Sequence, residues 1–242
     1  MSVSIGCALR DAASLTCKGV ALGVALSTGA CGWTMVQPTD VVQVSEELPI
    51  KDRSSWQGAL VDESFKLGAY QVSDVDRKWN STQSSSFLGF DASRMKGGYS
   101  YELVSAAGKL KGECATEERE KGQNLGGGAE FSNLIAKLGC RCSTNDGAIT
   151  LTLEGSTSEQ YKGAVTGPDL AYSITAITER SKGWASHDPL GYRIDAPSAP
   201  VGAVDLKMPG RVWISKTLES SAREQVACLF AGLLLYQPAK ER

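Results

Sequence analysis

The chain has 242 residues, of which 42% are hydrophobic, 7% aromatic and 21% charged, with 7 Cys and a single His. That is enough apolar side chain for one large core or two small ones, while 25 basic against 27 acidic residues leave no overall electrostatic footprint for nucleic acid. One imidazole excludes metal sites that need two, the HExxH protease and the two-His iron centre among them, and no motif predicts a cofactor.

Residues 19–30 (GVALGVALSTGA) are apolar or small, preceded by Arg10 and Lys18 and followed by Cys31. The stretch suits the h-region of a secretory signal and is too short for the about 20 helical residues that span a bilayer. A buried helix of a cytosolic domain is the alternative. The junction Thr28-Gly29-Ala30-Cys31 resembles the lipobox of bacterial lipoproteins, with Thr28 where that family prefers Leu. The resemblance implies acylation of Cys31, a membrane anchor and a place in the periplasm or at the outer membrane. The same small residues would also serve ordinary signal cleavage. Residues 1–30 therefore read as a signal sequence, 31–64 as a tether or irregular arm with one strand at 41–44, and 65–242 as a single β-rich domain.

Loss of residues 1–30 removes Cys7 and Cys17 and leaves Cys31, Cys114, Cys140, Cys142 and Cys228. With Cys31 as anchor four remain, an even number suited to an oxidising compartment. Cys140 and Cys142 would share one face of a strand, because side chains alternate with period two. Each could reach a neighbouring strand, and Cys114 is the natural partner for one. Free buried thiols are the competing reading. Zinc has no recognised spacing here.

Residues 65–72 suggest the first strand of the domain, and residues 80–86 (NSTQSSS) a polar loop. Residues 99–104 and 109–115 flank Ser105 to Gly108 in the manner of a hairpin. Glu117 to Lys121 (EEREK), ahead of three glycines, reads as a solvated charged loop, and residues 129–138 as a short helix or a strand. The clearest strand is 148–154, where Ile149, Leu151 and Leu153 alternate with Thr150, Thr152 and Glu154 after the turn signal Asn145-Asp146-Gly147. Residues 160–165, 170–178, 192–194, 203–206 and 211–214 add further short strands between turn residues. The pattern predicts an antiparallel barrel or sandwich.

Residues 221–236 break that pattern. Ser221 and Glu224 have capping-box spacing, and Val226 to Tyr236 contain no polar face. Pro238 stops the helix, with Lys240 and Arg242 beyond it. A helix apolar all round must be covered on all sides, and a sheet curling around it would provide that cover. The stretch Val201-Gly202-Ala203-Val204, then Arg211-Val212-Trp213-Ile214, then the apolar helix resembles the end of the tubby-like fold shared by tubby, LURP-one-related and scramblase-type proteins. The resemblance implies a closed barrel enclosing the helix, and binding at membranes or of lipids, usually without catalysis. The basic cluster of the phosphoinositide-binding members has no evident counterpart.

His187, beside Asp188, is the one candidate base, but no G-x-S-x-G elbow accompanies it. The carboxylate pairs Glu117-Glu118 and Asp74/Asp76 could in principle serve a hydrolase as acid and base, but acidic pairs on a surface are common. Trp79, Trp184 and His187 sit in loop-like contexts where they could face a ligand. No catalytic residue and no metal site are assigned. The expectation is a non-catalytic binding or scaffolding protein of the bacterial cell envelope, held to the membrane by a lipid anchor and able to meet an envelope protein partner. The alternatives are a hydrolase or cell-wall enzyme with an unrecognised site, or an interaction subunit of an envelope or secretion complex.

Overall fold

Alternating apolar and polar side chains give each strand one face for a core and one for water, and the domain is built almost wholly on that device. The computed structural model describes residues 34–54, 63–77, 95–124, 130–144, 147–156, 160–168, 170–186 and 188–236. Residues 1–30, Cys31, Trp56, Trp79, Asn145-Asp146, His187, Lys240 and Arg242 lie outside the described residues.

The strands are β1 (Ser45–Lys51), β2 (Phe65–Leu67), β3 (Tyr70–Asp76), β4 (Met95–Val104), β5 (Lys109–Asn124), β6 (Glu130–Thr144), β7 (Gly147–Ser156), β8 (Lys162–Thr166), β9 (Ala171–Ile177), β10 (Gly191–Asp195), β11 (Pro200–Asp205) and β12 (Arg211–Ser215). Each pairs antiparallel with its sequence neighbour, and β1 pairs with β12 from Ser45↔Ser215 to Pro49↔Arg211, so the sheet closes. Closure removes the unpaired strand edges that an open sheet would present. Of the two architectures expected, the barrel is the one formed.

Through the barrel runs α2 (Ser220–Leu235). Val226 to Leu235 are all buried, the valine, leucine and phenylalanine side chains each contributing about 2 kcal/mol by leaving water. The fit is close on several sides. A Cβ on Gly232 would lie 2.8 Å from Tyr101 Oη and 2.9 Å from Cys114 Sγ, and one on Gly202 of β11 would lie 3.0 Å from the Phe230 ring. The inward faces of the wall complete the core with Leu48, Phe65, Val72, Leu103, Ile149, Leu151, Ile174, Ile194 and Ile214.

The wall's outer face carries the polar half of the alternation. Lys109 pairs with Glu102, Lys111 with Glu113, and Lys137 with Glu154, while Thr150 and Thr166 share a hydrogen bond of 2.8 Å. A membrane-spanning barrel needs an apolar band at these outward positions. This sector of wall is built for water. Among the described residues no helix is long and apolar enough to cross a bilayer.

Several local readings need correction. The barrel starts at Ser45, not near Phe65, so residues 45–51 belong to the domain and not to an arm. The strand expected at 41–44 is instead part of α1 (Thr39–Val44). Its backbone turns so that Val41 enters a second cluster with Met35, Ile177, Ala203 and Trp213 on the outside of the wall, a tertiary contact that overrides β-branched propensity. Residues 65–72 form two strands, because Gly68 at φ 60° opens a turn after Leu67. Glu117 to Lys121 lie in β5, paired from Glu117↔Lys137 to Lys121↔Asn133; the backbone partner supplied by β6 decides this, against the charge of the segment. Of the segment 129–138, residues 130–138 resolve as strand. The capping box is not made: Glu219 is the N-cap and forms no side-chain cap bond, while Arg223 of the first helical turns reaches across to Glu46 at 2.7 Å.

Candidate functional site

The four cysteines of the domain are consumed by the core. Cys114 and Cys140 stand directly opposite each other on β5 and β6 and form one disulfide, and Cys142 bonds to Cys228 on α2. The shared face expected for Cys140 and Cys142 is therefore observed: both point inward and both are buried. Cys142 finds its partner on the helix and not on a strand. Period-two spacing exposes the shared face but carries no information about Cys228, which is 86 residues away. The thiols needed for a zinc site are bonded to one another, and among the described residues no group of three ligating side chains comes together. All four being buried, these disulfides suit an oxidising compartment.

The polar chemistry inside the barrel follows the helix. Tyr101 donates its hydroxyl to the Cys228 carbonyl at 2.7 Å, and Tyr99 donates to the Gly232 carbonyl at 2.7 Å. Burial raises the pKa of both phenols, so they remain neutral donors and not candidate bases. At the C-terminus, where the last carbonyls lack intrahelical partners and carry partial negative charge, two arginines arrive from loops. Arg53 donates to Leu234 O at 2.5 Å and to Pro209 O at 2.8 Å. Arg77 donates to Leu235 O at 3.0 Å, pairs with the nearly buried Glu63 at 2.7 Å, and lies 5.5 Å from the centre of the Tyr99 ring. Burial lowers the Arg53 pKa; the Glu63 carboxylate opposes this, and the charge of Arg77 adds to it. The guanidinium stays charged. The nitrogens used here are aimed at the helix carbonyls of Leu234 and Leu235, at Pro209 O and at Glu63, so the cluster seals the helix end. Sequence reading placed cations after the helix, at Lys240 and Arg242; the described cations at this end come from Arg53 and Arg77, which no local pattern singles out.

The topology brings other features to this same end. In an up-and-down barrel alternate strands finish at the same end, and β1, β3, β5, β7, β9 and β11 finish at the end where Arg53, Arg77 and Pro209 meet at the C-terminus of α2. The connection from β9 to β10 contains Trp184, which is 91% exposed, the extreme among the large hydrophobic side chains of the described residues. Lys182, Gly183 and Ala185 beside it are exposed as well. Of the three residues expected to face a ligand, Trp184 is the one described. Trp213, by contrast, is buried beneath the N-terminal segment, with the Arg211 guanidinium 5.2 Å from its ring centre. Asp74 and Asp76 are exposed at an irregularity of β3, and Glu117 is buried on the wall opposite Lys137.

The start of the described chain returns to that loop. Ser181 N–H donates to Thr34 O at 2.8 Å, the two hydroxyls lie 2.6 Å apart, and Val36 N–H donates to Glu179 O at 2.9 Å. From there the chain crosses the outer wall, held by Met35 and Val41 and by Arg193, which bonds Asp40 at 2.8 Å and Asp195 at 2.6 Å. Compared with protein-family models, curated proteins and solved structures, the chain matches none.

Proposed function

We propose that this chain is a non-catalytic binding or scaffolding protein of the bacterial cell envelope, exported through residues 1–30 and tethered to the membrane by an acylated Cys31. The observation that carries the reading is the occupied barrel. The space that a ligand-binding barrel keeps open is filled by α2, which a disulfide joins to the wall and two tyrosines and two arginines hold by its carbonyls. The hydroxyls of Tyr99 and Tyr101 and the guanidiniums of Arg53 and Arg77 are spent on those bonds, which favours recognition by loops and outer surface. The two buried disulfides favour an oxidising compartment over the cytosol. A closed barrel around an apolar C-terminal helix is also the arrangement that a tubby-like resemblance implies, and it favours contact with membranes or lipids.

Intact-mass analysis of the protein purified from bacterial membranes tests the tether. A diacyl- or triacyl-Cys31 N-terminus is expected, and an uncleaved Met1 in a soluble cytosolic fraction overturns export. Hydrolysis of an ester, peptide or glycan panel, lost on His187→Ala, would replace the binding reading with an enzymatic one.

A further inference from the structure

The strongest unassigned feature is the exposed Trp184 in the connection between β9 and β10. An isolated apolar side chain on a surface needs no explanation, but a tryptophan 91% exposed beside an exposed Lys182 combines the two residue types that anchor proteins at a membrane–water interface. The second observation is the position of Thr34. Thr34 is bonded to Ser181 through backbone and hydroxyl, and Ser181 is three residues from Trp184. Only Gly32 and Trp33 separate Cys31 from Thr34. Three residue steps span at most about 10 Å.

We propose that residues 181–186 form the face of the barrel that rests on the bilayer, with Trp184 inserted at the headgroup level. The inference rests on the reading of Cys31 as the acylated anchor. An acyl chain at Cys31 would hold Thr34, and with it the loop, within about 10 Å of the membrane surface. The ring of Trp184 then buries apolar area in the interface while its indole N–H stays in the hydrated layer. Lys182 can extend its ammonium to anionic headgroups while its methylenes lie along the surface. A diacyl- or triacyl-Cys31 carries two or three chains and holds the protein stably by itself; this loop fixes which face of the barrel meets the lipid. The orientation turns the sealed end of the barrel towards the lipid and leaves the opposite end, with the β4–β5 connection, facing away.

The full chain, purified from bacterial membranes in detergent, is reconstituted into phosphatidylethanolamine–phosphatidylglycerol vesicles whose acyl chains carry bromine. The readouts are flotation and quenching of tryptophan fluorescence. Trp184→Phe should leave flotation and melting temperature unchanged and remove at least half of the bromolipid quenching, with the remainder from tryptophans such as Trp33. Flotation with quenching equal in both proteins overturns the proposed face and leaves the anchor standing, as it would if a protein partner covered Trp184. Failure of the wild-type chain to float overturns the anchor and the face together.

Discussion

The helix α2 and the loop at residues 181–186 lie at opposite limits of exposure although they meet the same end of the barrel. In the helix, ten consecutive residues from Val226 to Leu235 are buried, and Tyr99 and Tyr101 aim their hydroxyls at its backbone carbonyls. In the loop, a tryptophan of larger apolar area than any of those residues stands in solvent. The difference teaches where selection for stability stops. A barrel that spends its interior on a covalently held helix is rigid, and its capacity to recognise anything moves to the rim.

The most severe way to break the comparison is to give the helix the loop's polarity. Leu234→Asp places an unpaired carboxylate in the packed interior, a cost of more than about 5 kcal/mol, comparable to the whole stability of a domain. The cooperative thermal transition should vanish from circular dichroism, and a retained fold would mean that the helix is not core.

The two disulfides allow a finer cut. Cys142–Cys228 closes a loop with sequence separation 86 and ties the helix to the wall, whereas Cys114–Cys140 closes one of 26 between strands that are already paired. Loop-closure entropy predicts a loss of about 4.6 kcal/mol for the double Ala variant at Cys142 and Cys228, and about 3.5 kcal/mol at Cys114 and Cys140. Denaturant titration of both variants checks the order. The reverse order would show that strand pairing depends on its cross-link more than the helix does.

A smaller loss is expected at the helix seal. Arg77→Met strands Glu63 without its closest partner and frees the Leu235 carbonyl, for about 3 kcal/mol. Adding Glu63→Gln should recover part of that loss, and additive effects in the double-mutant cycle would remove the pair from the seal.

The smallest effect belongs to the exposed Arg193–Asp40 pair. The Arg193 hydrogen bond is the main cause holding the Asp40 carboxyl below its ordinary 3.8. Because the folded pKa is depressed, its stabilisation is present above pH 3.8 and is lost as the pH falls through the lower folded value. Asp40→Asn should therefore cost about 0.5 kcal/mol at pH 7 and less at pH 3, as thermal melts at the two values would show. Equal losses at both would mean that packing of α1, and not charge, holds the segment to the wall.

How much of this was legible before the fold can be traced through particular residues. The alternation at Ile149, Leu151 and Leu153 predicts β7, and Val226 to Tyr236 predict a covered helix, because both patterns are local and repeat with the period of the backbone. The face shared by Cys140 and Cys142 is legible for the same reason. Where a charge run or a β-branched pair competes with a tertiary partner, the local signal fails: Glu117 to Lys121 become strand against β6, and Val41-Val42 become helix against the outer wall.

The amino-acid sequence alone determined which segments alternate, which one must be wrapped, and that the cysteines of the domain form an even set. Tertiary structure decided that the sheet closes, that Cys142 meets Cys228, that Arg53 and Arg77 seal the helix from positions 181 and 158 residues away, and that Thr34 returns to the loop of Trp184. The reason is physical. Periodicity records the direction in which a side chain leaves its own backbone, whereas partners so distant in sequence are chosen by how twelve strands close around one helix.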